Sequence, residues 1–315
     1  PASHYLTYEN GKTKLTQYYD VAINGQRNLS ENELANSLVG ILEDSIKLRF
    51  RSDVPVGTCL SGGFDSSSIV SLASDAGQYN IETFSAVWTE KDCDESYYID
   101  IVNSRFNCSA NKIIPQESEF DEVFKKLCYY QEIPTEGPGL YPQWYVMKKA
   151  KEKVKVLLDG QGGDEVFGGY FQMGAYLRGV LRDKNLFKIA SESANFMKFF
   201  NKNGLHSFTS WLFPRQYGYM TRSKLSARFN IINSTLLNDM DKNALYFDVE
   251  PSRKFGSYLG SLSYHFIRNM TIPALLHYED RSSMAHSIES RVPFLDYRLV
   301  ELGVNLSSKY LSFKG

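Results

Sequence analysis

The chain has 315 residues, of which 43% are hydrophobic and 23% are charged, and its formal net charge is −1 at pH 7. These values are typical of a globular protein and exclude the disordered, collagenous and coiled-coil classes. The nearly neutral charge gives no support for nucleic-acid binding, and the length suits one large domain or two smaller ones.

The first predicted element is a β-hairpin. The segments His4–Glu9 and Lys12–Val21 alternate on either side of Asn10-Gly11, a dipeptide typical of two-residue hairpin turns. An isolated hairpin is only marginally stable in water, so this one is expected to pack on other parts of the protein.

A helix and then an alternation of strands and helices follow. Ser30 and Glu33 form a capping box before a helical apolar stripe, which predicts a helix from about Glu31 to Phe50. The predicted strands are then Val54–Leu60, Ile81–Trp88, Lys112–Ile114 and Val154–Leu158, and the predicted helices are Asp65–Ala76, Glu95–Phe106, Phe120–Gln131 and Pro142–Glu152. This alternation predicts an α/β fold with a parallel twisted sheet and helices on both faces. Beyond Phe171 the strand pattern fades, and the sequence predicts a mostly helical C-terminal part.

The sharpest motif is the loop SGGFDSS at residues 61–67, between a predicted buried strand and a helix. Backbone N–H groups in a glycine turn and at a helix N-terminus form an anion site. The Asp65 carboxylate would repel a bare phosphate, so its presence indicates Mg²⁺ between the two. No lysine closes the loop, which excludes the Walker pattern.

A second glycine loop, DGQGGDEVFGGY at residues 159–170, follows another predicted strand. Parallel strands bring their carboxyl ends to the same edge of a sheet, so we expect Asp164 to face Asp65 and to share Mg²⁺ with it. The alternative is a structural loop in which Asp164 and Glu165 cap a helix.

A third motif, DRSSMAHSIESRVPFLD, covers residues 280–296. Composition alone does not assign its function. Arg281, Glu289, Arg291 and Asp296 are interpreted as a buried ion network that shapes one wall of the site. His286 is interpreted as a structural histidine rather than a base.

Together the three motifs resemble the synthetase domain of the class B, glutamine-dependent asparagine synthetases. The resemblance implies a fold of the ATP pyrophosphatase, adenine nucleotide alpha hydrolase-like kind. It also implies that ATP is cleaved to AMP and pyrophosphate while a carboxylate becomes an acyl-adenylate, which ammonia from glutamine then attacks. Residues 29–315 are then the synthetase domain, truncated before the family's catalytic lysine. Residues 1–28 are the strand and linker from an absent glutaminase domain.

Carried over by position, the resemblance implies ATP and Mg²⁺ as cofactors and a defined set of site residues. The nucleotide would be bound by Leu60, Ser61, Gly62, Gly63, Asp65, Ser66, Ser67, Ala86, Asp159 and Gly160, the metal by Asp65 and Asp164, and the catalytic candidates are Gln161, Arg281 and Glu289. Gln161 stands where asparagine synthetases carry a glutamate, and an amide cannot accept a proton at neutral pH. Gln161 therefore counts against aspartate, whereas the close match of the third motif to the family makes aspartate the first candidate acceptor. The alternatives are a different carboxylate or a nucleotide-binding module without turnover.

The expected partners are a small-molecule carboxylate, ammonia and a glutaminase domain in the full-length protein. We expect no nucleic acid and no membrane, and a homo-oligomer is compatible with the sequence. The four cysteines form no CxxC pair and no signal peptide precedes the first helix, which favours a cytoplasmic location. Residues 171–230 hold ten Lys and Arg against two acids, and we interpret them as a helical layer rather than an anion-binding surface.

Overall fold

The computed structural model describes residues 1–24, 29–77, 80–90, 92–133, 139–169 and 255–311. The chain divides into two compact units, the first formed by residues 1–21, 29–166 and 266–302, and the second by residues 22–28, 167–265 and 303–315. The predicted basic, aromatic stretch at residues 171–230 and the last residue of the second glycine loop, Tyr170, lie outside the described residues.

The predicted hairpin is present as strands β1 (His4–Glu9) and β2 (Lys12–Gln17), which pair in antiparallel register. Asn10 and Gly11 have φ values of 50° and 74°, the left-handed conformation that tight hairpin turns require. The second strand is shorter than predicted, because the chain leaves the ladder after Gln17 and buries Val21 instead.

The helices lie close to their predicted positions. In chain order they are α1 (Glu31–Arg49), α2 (Phe64–Asp75), α3 (Ser96–Phe106), α4 (Phe120–Gln131), α5 (Leu140–Ala150), α6 (Gly163–Phe167), α7 (Tyr258–Asn269), α8 (Thr271–Met284), α9 (Tyr297–Val304) and α10 (Ser308–Leu311). The capping box is formed as predicted, since the Ser30 hydroxyl accepts the Glu33 N–H and the Glu33 carboxylate accepts the Ser30 N–H. Helix α5 begins at Leu140, so Pro142 lies in its first turn, where a missing N–H costs nothing.

The core of the first unit is a five-stranded parallel sheet in the order β5-β4-β3-β6-β7. The strands are β3 (Val56–Cys59), β4 (Glu82–Ala86), β5 (Ser109–Ile113), β6 (Val156–Leu158) and β7 (Glu289–Arg291). Strand β5 starts three residues earlier than predicted, and β7 was not predicted at all, because both are edge strands with polar sequences. The predicted α/β class with a parallel sheet is confirmed.

Helices cover both faces of this sheet, as predicted. On one face Phe84 and Leu157 pack against Met147 of α5 and Ile288. On the other face Leu60 packs in a second cluster with Val70 of α2 and Ile99 of α3. Alternate residues along the strands and their ends therefore enter two separate apolar clusters, one on each face of the sheet.

Candidate active site

The two glycine loops leave neighbouring strands at the same level. Thr58 of β3 lies opposite Leu158 of β6, and its hydroxyl donates to the Leu158 carbonyl at 3.2 Å. From β3 the chain continues to β4 and β5 on one side, while β6 and β7 lie on the other. The loops therefore meet where the strand order reverses, which is the usual ligand crevice of an open α/β sheet.

The first loop is shaped by two glycines in different ways. Gly62 has a φ of 83° and approaches α3 so closely that an added Cβ would lie 3.0 Å from the Cβ of Tyr98. Gly63 is the N-cap of α2 and provides no side chain to occupy the first N–H groups of that helix. The N-terminus of α2 is thus left without a side-chain cap, as a phosphate-binding loop requires.

Asp65 and Asp164 lie within electrostatic range of one another. The pKa of Asp65 is raised to about 6, first by burial and then by the negative charges of Asp164 and Glu165. Burial also raises the pKa of Asp164. The Asp65 carboxylate lies against the second loop, where a Cβ on Gly163 would collide with it. The predicted approach of these two carboxylates is thus present.

A cavity of about 460 Å³ separates the two loops, and we call it the loop cavity. Its walls are formed by Cys59, Ser61, Gly63, Phe64, Asp65, Ser66, Asp159, Gly160, Gln161 and Asp164. Gly62 and Ser67 belong to the first loop but not to these walls. The side chains of Leu60 and Ala86 pack into the two core clusters, so their predicted contact with adenine would be made by their backbone and stays a prediction.

The donor set of the loop cavity fits Mg²⁺ bound together with a phosphate. Within the described ranges no group of three or more His, Cys, Asp or Glu side chains is arranged as a metal cage. Mg²⁺ usually binds through one or two carboxylates and completes its shell with substrate phosphates and water. Asp65 and Asp164 are the residues that would hold it.

Gln161 lines a second cavity as well as the loop cavity. Its backbone N–H donates to Asp159 Oδ1 at 3.1 Å, which fixes the start of the second loop. The second cavity also has a volume of about 460 Å³, and it is lined by Gly139, Leu140, Gln143, Gln161, Met270, Thr271, Ala274, Leu275 and Tyr278. Gln161 thus stands at the boundary between two cavities, one of them on the phosphate loops.

No motif in the sequence indicated Glu279, which contacts Gln143 in the wall of the second cavity. It is 2% exposed, accepts a hydrogen bond from the Ser290 hydroxyl at 2.8 Å, and accepts another from the Gln143 side-chain amide. Burial and the nearby negative charge of Asp159 raise the pKa of Glu279 to about 8. The available signal was an acid in an otherwise apolar run of α8, just before the third motif.

The raised pKa of Glu279 predicts a specific pH dependence of stability. The folded protein keeps a proton on Glu279 that the unfolded chain releases near pH 4.5, so stability from this group is lost as the pH rises towards 8. In the wild type, the free energy of unfolding should fall between pH 5 and pH 8 as this contribution is lost. In Glu279→Gln, whose side chain does not titrate, we expect that fall to be smaller by about 1 kcal/mol or more. Urea titrations of the wild type and the variant at both pH values measure it. The exposed control Glu117→Gln should keep the wild-type pH dependence, and an unchanged dependence in Glu279→Gln would contradict the assignment.

The third motif does not form the predicted single ion network. Arg281 pairs with Glu132 at 3.3 Å, whereas Glu289 pairs with Arg291 at 2.6 Å. Asp296 forms a separate pair with Arg298 at 2.9 Å and a longer one with Arg49 at 3.4 Å. The charges separate because the motif passes through a helix end, a strand and a turn, which point them in different directions.

Two of the predicted catalytic residues lie away from both cavities. Arg281 is in neither lining, and Glu289 is exposed at the amino end of β7, level with Val156 at the start of β6. The loops are at the opposite, carboxyl edge of the sheet. His286 is buried, contacts the ring of Trp144 with centroids 4.3 Å apart, and has a pKa lowered by burial, which is the environment expected of a structural histidine.

Comparisons with known proteins point to one family. A family model described as "Asparagine synthase" matches residues 38–315. The protein "Asparagine synthetase (glutamine-hydrolyzing) 1" of Bacillus subtilis is 28% identical over an alignment of 311 positions, which covers 94% of this chain and 47% of that protein. "Putative asparagine synthetase (glutamine-hydrolyzing) 2" of Methanocaldococcus jannaschii is 34% identical over 167 residues, covering 52% of this chain and 32% of that protein. The chain thus spans about half, or less, of the length of these relatives. No helix in the described part of the chain has the length and apolarity of a membrane span.

Proposed function

The chain belongs to the asparagine synthase family, and we propose that it performs the ATP-dependent activation step of an amide-forming ligase. The observation that carries the proposal is the meeting of the two glycine loops at the β3/β6 switch point, with Asp65 placed against Gly163 of the second loop. The arrangement brings acidic side chains close together, and a bound cation would neutralise them. It therefore fits a site for Mg²⁺ and a triphosphate better than it fits a purely structural turn.

In this proposal the first loop holds the departing pyrophosphate. The uncapped N–H groups at the start of α2 would donate hydrogen bonds to it. Ser61 and Ser66 also line the loop cavity, and the Ser66 hydroxyl, which donates to the Gly63 carbonyl at 3.3 Å, would have to turn to reach a phosphate. Asp65 and Asp164 would hold Mg²⁺, and the metal would supply positive charge to neutralise the leaving phosphates. At neutral pH Asp65 is mostly ionised, since its pKa is about 6, and it is then ready to bind a cation.

The acceptor carboxylate is proposed to enter through the second cavity and to meet the nucleotide beside Gln161. One carboxylate oxygen attacks the α-phosphorus of ATP, the bond to the β-phosphate oxygen breaks, and pyrophosphate leaves with the electron pair. Ammonia then attacks the carbonyl carbon of the acyl-adenylate. AMP departs with the former carboxylate oxygen, and one proton is lost to form the neutral amide.

The ammonia is proposed to come from glutamine. The relatives are named glutamine-hydrolyzing and are about twice as long as this chain, so a glutaminase domain in the full-length protein is the proposed partner. Residues 1–28 would then be the strand and linker from that domain, and the exposure of Tyr5, Leu6 and Tyr8 on the hairpin agrees with this.

Two classes of acceptor fit the proposal. Aspartate is the acceptor that the names of the relatives suggest. A different carboxylate is favoured by Gln161, which hydrogen-bonds but does not take the proton that a glutamate at this position would accept.

The test is isotope exchange between labelled pyrophosphate and ATP, catalysed by the full-length protein with a panel of carboxylates and without ammonia. We expect label in ATP only when Mg²⁺ and an accepted carboxylate are both present, because exchange requires a reversible acyl-adenylate. If no carboxylate supports exchange although Mg-ATP binds, the ligase proposal fails and the binding module without turnover takes its place.

A further inference from the structure

The walls of the second cavity would determine which acceptor the proposed reaction uses, because the acceptor is proposed to enter there. Gln161 belongs to the described lining of both cavities, so a molecule in the second cavity would lie next to the proposed nucleotide site at that residue. The volume of the second cavity, about 460 Å³, lies within the range of small-molecule sites. The chemistry of its walls therefore indicates the polarity and charge of the part of the acceptor that does not react.

The walls of the second cavity are apolar with a few neutral polar groups. Leu140, Met270, Ala274 and Leu275 provide the apolar surface. Gln143, Gln161, Thr271 and Tyr278 provide the polar atoms. Among the lining residues that the structure describes, none carries a charge at neutral pH.

The ionisable groups around the second cavity are acids rather than cations. Asp65, Asp159 and Asp164 line the neighbouring loop cavity, whereas Glu279, directly behind Gln143, is mostly protonated at neutral pH because its pKa is raised to about 8. Arg281, on the same helix as the cavity residues, is paired with Glu132. A second anionic group on the acceptor would thus meet neither a described cation in the wall nor a favourable field.

Gln143 is held in place by the groups behind it. Its amide nitrogen donates to Glu279, which is itself anchored by the Ser290 hydroxyl. Glu279 is therefore a positioning residue that keeps a neutral amide in the wall. A fixed amide can hydrogen-bond an uncharged polar group, but it does not neutralise a charge.

We infer that the acceptor is a monocarboxylate whose remaining body is uncharged and largely apolar, rather than aspartate. The inference rests on the proposed function, because it describes the acceptor of that reaction. Burying the second carboxylate of aspartate in this cavity would leave that charge without a cationic partner among the described lining residues, which is strongly unfavourable. A hydrocarbon chain of suitable length would instead cover Leu140, Met270 and Leu275.

The experiment is carboxylate-dependent exchange of pyrophosphate into ATP by the full-length protein, with aspartate, succinate, butyrate and hexanoate. This series first removes the ammonium group, then the second carboxylate, and then adds apolar length. We expect kcat/KM for exchange to rise along the series, with hexanoate at least about tenfold above aspartate. Aspartate-dependent exchange equal to or above that of hexanoate would overturn the inference while leaving the ligase proposal intact. No exchange with any acid would overturn both.

A charge introduced into the wall gives an independent check. Thr271→Arg places a cation at the start of α8 in the second cavity, and we expect it to raise the ratio of succinate-dependent to hexanoate-dependent exchange by about tenfold. The matched control Thr271→Ser should leave the ratio within about twofold of the wild type. An unchanged ratio in Thr271→Arg, at unchanged affinity for Mg-ATP, would contradict the placement of the acceptor in this cavity.

Discussion

Replacing Asp65 with alanine is expected to lower the affinity for Mg-ATP by at least about a hundredfold without unfolding the protein. Asp65 faces the loop cavity, and its carboxylate lies against Gly163 of the second loop, close to Asp164. The variant removes one of the two carboxylates proposed to hold Mg²⁺, so Asp164 alone would bind the metal and the phosphates would lose part of their attachment to the first loop. Titration calorimetry with Mg-ATP measures the change, and thermal unfolding checks that the fold persists.

The matched control is Asp75→Ala on the same helix. Asp75 is exposed at the C-terminal end of α2, so its replacement should leave the affinity within about twofold. Asp164→Ala should act in the same direction as Asp65→Ala. Unchanged affinity in both Asp65→Ala and Asp164→Ala would refute the shared metal.

The second large effect is expected from Gly163→Ala. A Cβ at this position would occupy the space now filled by the Asp65 carboxylate, whereas the backbone of Gly163 is helical and tolerates alanine. The obstacle is the end of a rotatable side chain, so we expect the free energy of unfolding to fall by less than about 2 kcal/mol. The displaced carboxylate would no longer face Asp164, and the affinity for Mg-ATP should fall by about tenfold to a hundredfold.

Gly40→Ala serves as the control for this glycine. It lies on the exposed side of α1 with nothing near the added Cβ, so it should keep the wild-type affinity and gain stability. A Gly163→Ala variant that binds Mg-ATP as tightly as the wild type would show that the position of Asp65 does not govern binding.

The parts of the site that the sequence predicted are those with strong local signals. Val54–Leu60 and Val154–Leu158 are apolar runs followed by glycine turns, and such runs become buried parallel strands with loops at one edge. The approach of Asp65 to Asp164 follows from that rule. That β3 and β6 are direct neighbours is a long-range pairing, which no local pattern encodes.

The missed features lack local signals for physical reasons. Strand β7 has the sequence Glu-Ser-Arg, and an edge strand of three residues needs no apolar alternation. Glu279 was missed because an acid in a helix, here beside Asp280 and Arg281, is usually solvated, and its burial follows from packing with Gln143 and Ser290. The ion network predicted for the third motif is not formed, although its charged residues are close in sequence. The motif passes through a helix end, a strand and a turn, which point these charges in different directions.

The most direct test of the account is the fate of a labelled carboxylate oxygen. The full-length protein would be incubated with Mg-ATP, glutamine and an accepted acid whose carboxylate carries ¹⁸O, and the phosphorus-containing products would be analysed by mass spectrometry. The proposed acyl-adenylate mechanism predicts one ¹⁸O atom in AMP for each amide formed, because the carboxylate oxygen that attacks the α-phosphorus leaves with AMP. Label in inorganic phosphate together with ADP would show activation at the γ-phosphate and would contradict it.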